Sequence, residues 1–178
     1  MTEDTVSIAQ LTAWLEGFEK LLLERGDRPS LGHGMSAVRE KVADGYDSVG
    51  DLFTAVGMTL VGSADEASGP LYGTFFLRFG MDAGGARTLD SAALGRAVRA
   101  GTEGVVARGP AAIGQTAVLE VLSRGIDAYD AEIARGADAA TATSTAFAAA
   151  RGTGDHLEPD AASAVLLLEA LATTLASS

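Results

Sequence analysis

Cysteine is absent from the 178 residues, which excludes a disulfide framework and thiolate chemistry. Basic residues are scarce: 13 Lys and Arg stand against 24 Asp and Glu, a formal net charge of −11. That balance argues against nucleic acid as a partner, because phosphate backbones are met by clustered Lys and Arg. It argues equally against an anionic membrane surface, and the acidic surplus reads as a solvated exterior that aids solubility. Aromatic residues make up only 6% of the chain, and few runs alternate polar with apolar residues, so a sheet-built protein is disfavoured. No apolar run reaches the roughly 18–20 residues needed to span a bilayer. The start, Met1-Thr2-Glu3-Asp4, is acidic and leads into an amphipathic stretch. That is unlike a secretory signal, and the expected compartment is the cytoplasm.

What is present is a large apolar fraction, 47% of residues, with a mean hydropathy of +0.20. Such a chain can offset the cost of ordering and is globular. Its length suits one domain over residues 1–178 with a sizeable core. Apolar residues recur at helical spacing in cadences of roughly 15–20 residues between glycine-rich breaks, which predicts an all-α fold. The first helix is expected from Thr5 to Glu24, with Ile8, Leu11, Leu15, Phe18 and Leu22 on one face and Trp14 a core or rim aromatic. Arg25 to Gly34 reads as a loop, by its Gly and Pro content. A second helix then runs to Val42, a third from Ser48 to Val61 and a fourth to Phe79. Asp82 to Arg87 reads as a turn, and Thr88 as the N-cap of a fifth helix reaching Arg108. Gln115–Ala134, Asp138–Ala150 and Glu158–Ala176 complete eight helices. The short loops between them favour antiparallel neighbours.

One stretch carries more chemistry than the rest: Glu66-Ala67-Ser68-Gly69-Pro70-Leu71-Tyr72-Gly73-Thr74-Phe75-Phe76. Pro70 suits the first turn of a helix, where its missing N–H costs nothing. The small residues Ser68 and Gly69 leave the backbone amides of that helix start open to a ligand. Free N–H groups at the positive end of a helix dipole form a cradle for an anion or a phosphate. On residue chemistry alone a second reading stands beside it: an N-capped helix with a glycine-rich start and no ligand.

The string Ser68-Gly69-Pro70-Leu71-Tyr72-Gly73-Thr74-Phe75-Phe76-Leu77-Arg78 resembles the central motif of the nucleotide-binding (DhaL-type, DAK2-domain) subunit of dihydroxyacetone kinases. The resemblance implies eight helices in an antiparallel up-and-down barrel, with ADP or ATP held at one mouth by the interhelical loops. It implies that the nucleotide serves phosphoryl transfer to a small ketose carried by a partner subunit, so that this chain supplies no catalytic side chain of its own. His33, Ala67, Ser68 and Gly69 are the implied phosphate contacts, and Leu71, Gly114, Thr116 and Leu119 the implied surroundings of the base. Regulator proteins are a further class of partner that the family implies.

Four departures qualify the resemblance. The family's first motif resembles D-x-x-x-x-D-x-D-H-G, whose carboxylates hold two magnesium ions against the phosphates. Ending that motif at His33-Gly34 puts Arg25, Ser30 and Gly32 at the three aspartate positions. No carboxylate remains there, and the metal site reads as lost. Glu24 and Asp27 lie nearby. Asp65 and Glu66 stand where the family has two glycines; they read as acids complementing a helix dipole, with replacement of metal ligands as the alternative. A third motif resembling G-D-K-T-M-L-D is here Gly114-Gln115-Thr116-Ala117-Val118-Leu119-Glu120. The family's long lid is shortened to Arg151–Ala162, where His156 reads as an ordinary loop histidine. Two functions follow: a nucleotide-holding kinase subunit, or a non-catalytic homologue that binds a regulator or an apolar ligand on the same scaffold.

Overall fold

The computed structural model describes residues 4–26, 28–63, 68–107, 114–152 and 159–177. Among these, two short strands accompany eight helices. They are β1 (Thr5–Ser7), α1 (Ile8–Arg25), α2 (Pro29–Lys41), α3 (Val49–Ser63), α4 (Ser68–Ala83), β2 (Thr88–Asp90), α5 (Ser91–Ala107), α6 (Gly114–Ala134), α7 (Ala139–Arg151) and α8 (Pro159–Ala176). The fold is all-α, as the periodicity predicts.

Both strands correct the sequence reading, which placed Thr5 in a helix and Thr88 at an N-cap. β1 and β2 pair antiparallel with Val6 opposite Leu89, and both of these side chains are buried. The helix starts are then set by capping. Ser7 and Gln10 form a reciprocal capping box, so α1 begins at Ile8. The Asp90 carboxylate accepts from the Ala93 N–H at 2.7 Å and opens α5 at Ser91. The β-branched Thr5, Val6 and Thr88 suit the extended segments that precede those caps.

The expected loop from Arg25 to Gly34 is also shorter than predicted. α1 stops at Gly26, whose φ of 70° is left-handed and whose N–H bonds the Leu22 carbonyl. Pro29 then occupies the first helical position of α2. Gly32 and Gly34 lie inside α2 and are buried. A Cβ on Gly32 would meet Leu23 Cδ2 at 3.0 Å, a contact that sequence alone does not separate from a turn. The remaining helices fall within a few residues of the predicted bounds; α4 continues one turn past Phe79, and Asp138 caps α7 through the Thr141 N–H.

Each helix packs against the next, and α8 returns to α1. Trp14 is in the core, where its Nε1 donates to the Leu167 carbonyl at 2.9 Å and its ring meets Phe53, Phe76 and Phe79. Phe53 and Phe79 lie 4.4 Å apart by ring centroid, at the short edge of aromatic-pair spacing. Glu19 is a buried carboxylate, held by two contacts of 2.9 and 3.2 Å from Arg39 Nε.

α3 and α4 are in unusually close contact because glycine faces glycine. A Cβ on Gly57 would come within 2.7 Å of the Gly73 carbonyl oxygen, and one on Gly80 within 3.0 Å of the Gly50 oxygen. The pairing of Gly57 with Gly73 and of Gly50 with Gly80 makes the two helices antiparallel.

Candidate functional site

The central motif forms the first half of α4, and its residues divide between two tasks. Leu71, Tyr72, Phe75 and Phe76 are buried. The Tyr72 hydroxyl lies 2.7 Å from Ser163 Oγ of α8, which ties the motif across the core. Gly73 meets Val61 of α3: a Cβ there would stand 2.6 Å from Val61 Cγ2. Tyr72, Phe75 and Phe76 are therefore a foundation. The motif opens with Ser68 and Gly69, and Gly69 is itself buried. Amides of a first helical turn have no intrahelical partner, and here they sit on a helix held rigidly from below.

The other predicted contacts fall as follows. Ala67 lies outside the described residues, as do Asp27, Asp65, Glu66 and His156. His33 is on helix α2, one turn from its start and exposed, where a loop position was predicted. Gly114 and Thr116 belong to the first turn of α6. Leu119, one turn further on, is half-buried against the core. The described candidates thus fall within the first two turns of α2, α4 and α6.

The three positions where the resemblance implies carboxylates are now placed. Arg25 is the last residue of α1, Ser30 is in the first turn of α2, and Gly32 is buried at the α1–α2 contact. A Cβ on Gly32 would meet Leu23 Cδ2 at 3.0 Å. A guanidinium, a hydroxyl and a hydrogen do not fit magnesium, which takes carboxylate and phosphate oxygens. Among the described residues, no group of three His, Asp or Glu side chains stands close enough to hold a metal ion.

A second concave feature went unnoticed in the sequence. A groove of about 320 Å³ runs between α5 and α6, lined by Gly95, Arg96, Arg99, Tyr129, Asp130 and Ile133. Gly95 makes room for the Tyr129 ring, whose hydroxyl donates to the Ser91 carbonyl at 2.6 Å. Burial drives the Tyr129 pKa well above the usual phenol value, aided by Asp4, Asp130 and Asp90. Arg99 bridges Asp130 at 2.5 Å and Asp127 at 3.2 Å. These contacts weld α5 to α6, about 21 Å along α6 from Thr116 at 1.5 Å per residue. No signal in the sequence spacing marks this groove, because its residues come from two helices.

No described helix is long and apolar enough to cross a membrane. The family model for the DAK2 domain matches residues 30–172. The chain is similar to the ADP-binding subunit DhaL of PEP-dependent dihydroxyacetone kinase 1 from Listeria innocua, at 33% identity over 135 residues, 70% of this chain and 67% of the relative. The corresponding Escherichia coli subunit is 32% identical over 109 residues, 61% of this chain and 52% of that protein. The ADP-binding subunit DhaL of a PTS-dependent dihydroxyacetone kinase from Lactococcus lactis is 33% identical over 95 residues, 53% of this chain and 47% of that protein. The matched segment thus spans between about half and two-thirds of the length of these relatives.

Proposed function

The chain belongs to the DAK2-domain family, and on that footing we propose that it is the nucleotide-binding subunit of a dihydroxyacetone-kinase-type system. It holds ADP or ATP at the helix starts of α2, α4 and α6, for phosphoryl transfer to a small ketose carried by a partner subunit. Ser68 and Gly69 receive the phosphates on their backbone amides with His33 beside them, and Leu71, Gly114, Thr116 and Leu119 surround the base. We also infer that residues 1–178 form one domain whose eight helices close into an antiparallel up-and-down barrel, and that it works in the cytoplasm. The packing of each helix on the next and of α8 on α1 supports the barrel.

The observation that carries the reading is the central motif: a long run of family-like residues with its apolar half buried beneath a helix start. Three relatives named as ADP-binding subunits support the same function. They lend no support to the non-catalytic alternative. Arg25, Ser30 and Gly32, at the three carboxylate positions, do not fit magnesium.

Titration calorimetry of ADP into the purified chain tests the proposal. Saturable binding in the micromolar range is the expected result. An absence of heat at millimolar ADP, from protein with a helical circular dichroism spectrum, would remove the nucleotide role.

A further inference from the structure

The hydroxyl pair beneath the central motif has a direction that apolar packing lacks. From it we infer that Ser163 of α8 is a positioning residue for the nucleotide, acting through Tyr72 on the start of α4. The inference rests on the nucleotide-binding reading above and names what holds that site in place.

Among the described residues, the buried Ser and Thr side chains are Thr102, Thr143 and Ser163. Thr102 and Thr143 donate to carbonyls of their own helices, Val98 and Ala140, each at 3.0 Å. Ser163 reaches another helix: its Oγ lies 2.7 Å from the Tyr72 hydroxyl, and either group can donate. Around it α8 is apolar, with Ala161, Ala162, Ala164 and Val165 buried, so alanine at 163 and phenylalanine at 72 would suit the same packing. A hydrogen bond that replaces two bonds to water adds only modest net stability. What the pair adds is geometry, because a hydrogen bond prefers one separation and one range of angles, whereas apolar contact is non-directional.

The pair acts at the end of α4 that the nucleotide reading uses. Tyr72 follows Ser68 by four residues, so it stands one turn further along the same helix, about 6 Å at 1.5 Å per residue. Apolar neighbours hold this turn from other sides: the Tyr72 ring meets Phe18 of α1 at 5.6 Å between centroids, and Gly73 lies against Val61 of α3. They set how closely α4 packs and leave its rotation about its own axis to the directional contact with α8. Backbone amides grip phosphate oxygens at about 2.7–3.2 Å and weaken steeply once misaligned. A small rotation of the α4 start therefore costs affinity while the fold survives.

The test pairs calorimetric titration of ADP with thermal unfolding, on wild type, Tyr72→Phe, Ser163→Ala and the double variant. Each single substitution is expected to weaken ADP by about fivefold, and the double variant by no more than the worse single, since the two hydroxyls act as one unit. Leu89→Ala is the control for general loosening. It removes a buried side chain from the strand pair beyond the other end of α4, and should lower the unfolding midpoint with ADP affinity within about twofold of wild type. Folded Tyr72→Phe and Ser163→Ala proteins that bind ADP as tightly as wild type overturn the inference and leave the nucleotide reading standing. Additive losses in the double variant, or an equal loss in Leu89→Ala, overturn it too. No binding of ADP by the wild type overturns both, so the two failures are told apart.

Discussion

Replacing Gly57 with alanine probes the seam that positions α4. In an exposed helix, glycine to alanine stabilises by up to about 1 kcal/mol through backbone entropy and propensity. At Gly57 the new methyl group would meet Leu77 Cγ at 2.5 Å and the Gly73 carbonyl oxygen at 2.7 Å. Neither neighbour can give way easily, since one is a branch point and the other is backbone. α3 and α4 would have to separate by several tenths of an ångström along a well-packed face. Overpacking of this kind costs about 1–3 kcal/mol, and the upper end applies where backbone is the obstacle. Subtracting the propensity gain leaves a net loss of about 1–2 kcal/mol, or a midpoint lower by about 3–6 °C for a chain of this size. Gly62, five residues along the same helix, is the internal control: it is exposed and a Cβ there meets nothing within 4 Å. Gly62→Ala should therefore raise stability where Gly57→Ala lowers it. Urea and thermal unfolding followed by circular dichroism would measure both. Equal stabilisation by the two substitutions would refute the close-contact reasoning. Because α4 opens with Ser68 and Gly69, a folded Gly57→Ala protein should also bind ADP more weakly than wild type.

Two further perturbations address the core and a helix end. The Tyr72–Ser163 hydroxyl contact should appear in a double-mutant cycle of Tyr72→Phe and Ser163→Ala as a coupling of about 0.5–1.5 kcal/mol, and additive single effects would deny it an energetic role. At the start of α7, hydrogen bonding to Thr141 holds the Asp138 carboxyl below its ordinary value. A depressed folded-state pKa means that its contribution is complete above the unfolded value of about 4 and is lost as pH falls through the folded one. Asp138→Asn keeps a capping oxygen but removes the titration. The variant should then lose less stability than wild type between about pH 4 and pH 2, and identical acid limbs in pH-dependent unfolding would contradict the assignment.

The helical class was legible because apolar spacing near 3.6 recurs through the chain, and most helix ends follow from local chemistry such as Gly26, Pro29 and Asp138. The central motif was legible too, because a long string of unusual residues is hard to meet by chance. The loss of three carboxylates needed only counting back from His33-Gly34. What was not legible depends on pairing across distance. The two strands are three residues each, and they exist because Val6 and Leu89 bury together, a contact between segments more than eighty positions apart. Gly32 and Gly34 looked like loop signals, yet glycine in a helix and glycine in a turn have the same composition; only the approach of Leu23 tells which applies at Gly32. The sequence by itself thus determined helix content, the acidic surface and the side chains available at the site. Tertiary packing decided that Tyr72, Phe75 and Phe76 are foundation rather than ligand contacts, and that His33 rides on a helix. It also decided how closely α4 lies on α3, because close approach of backbones is a property of two segments and is written in neither alone.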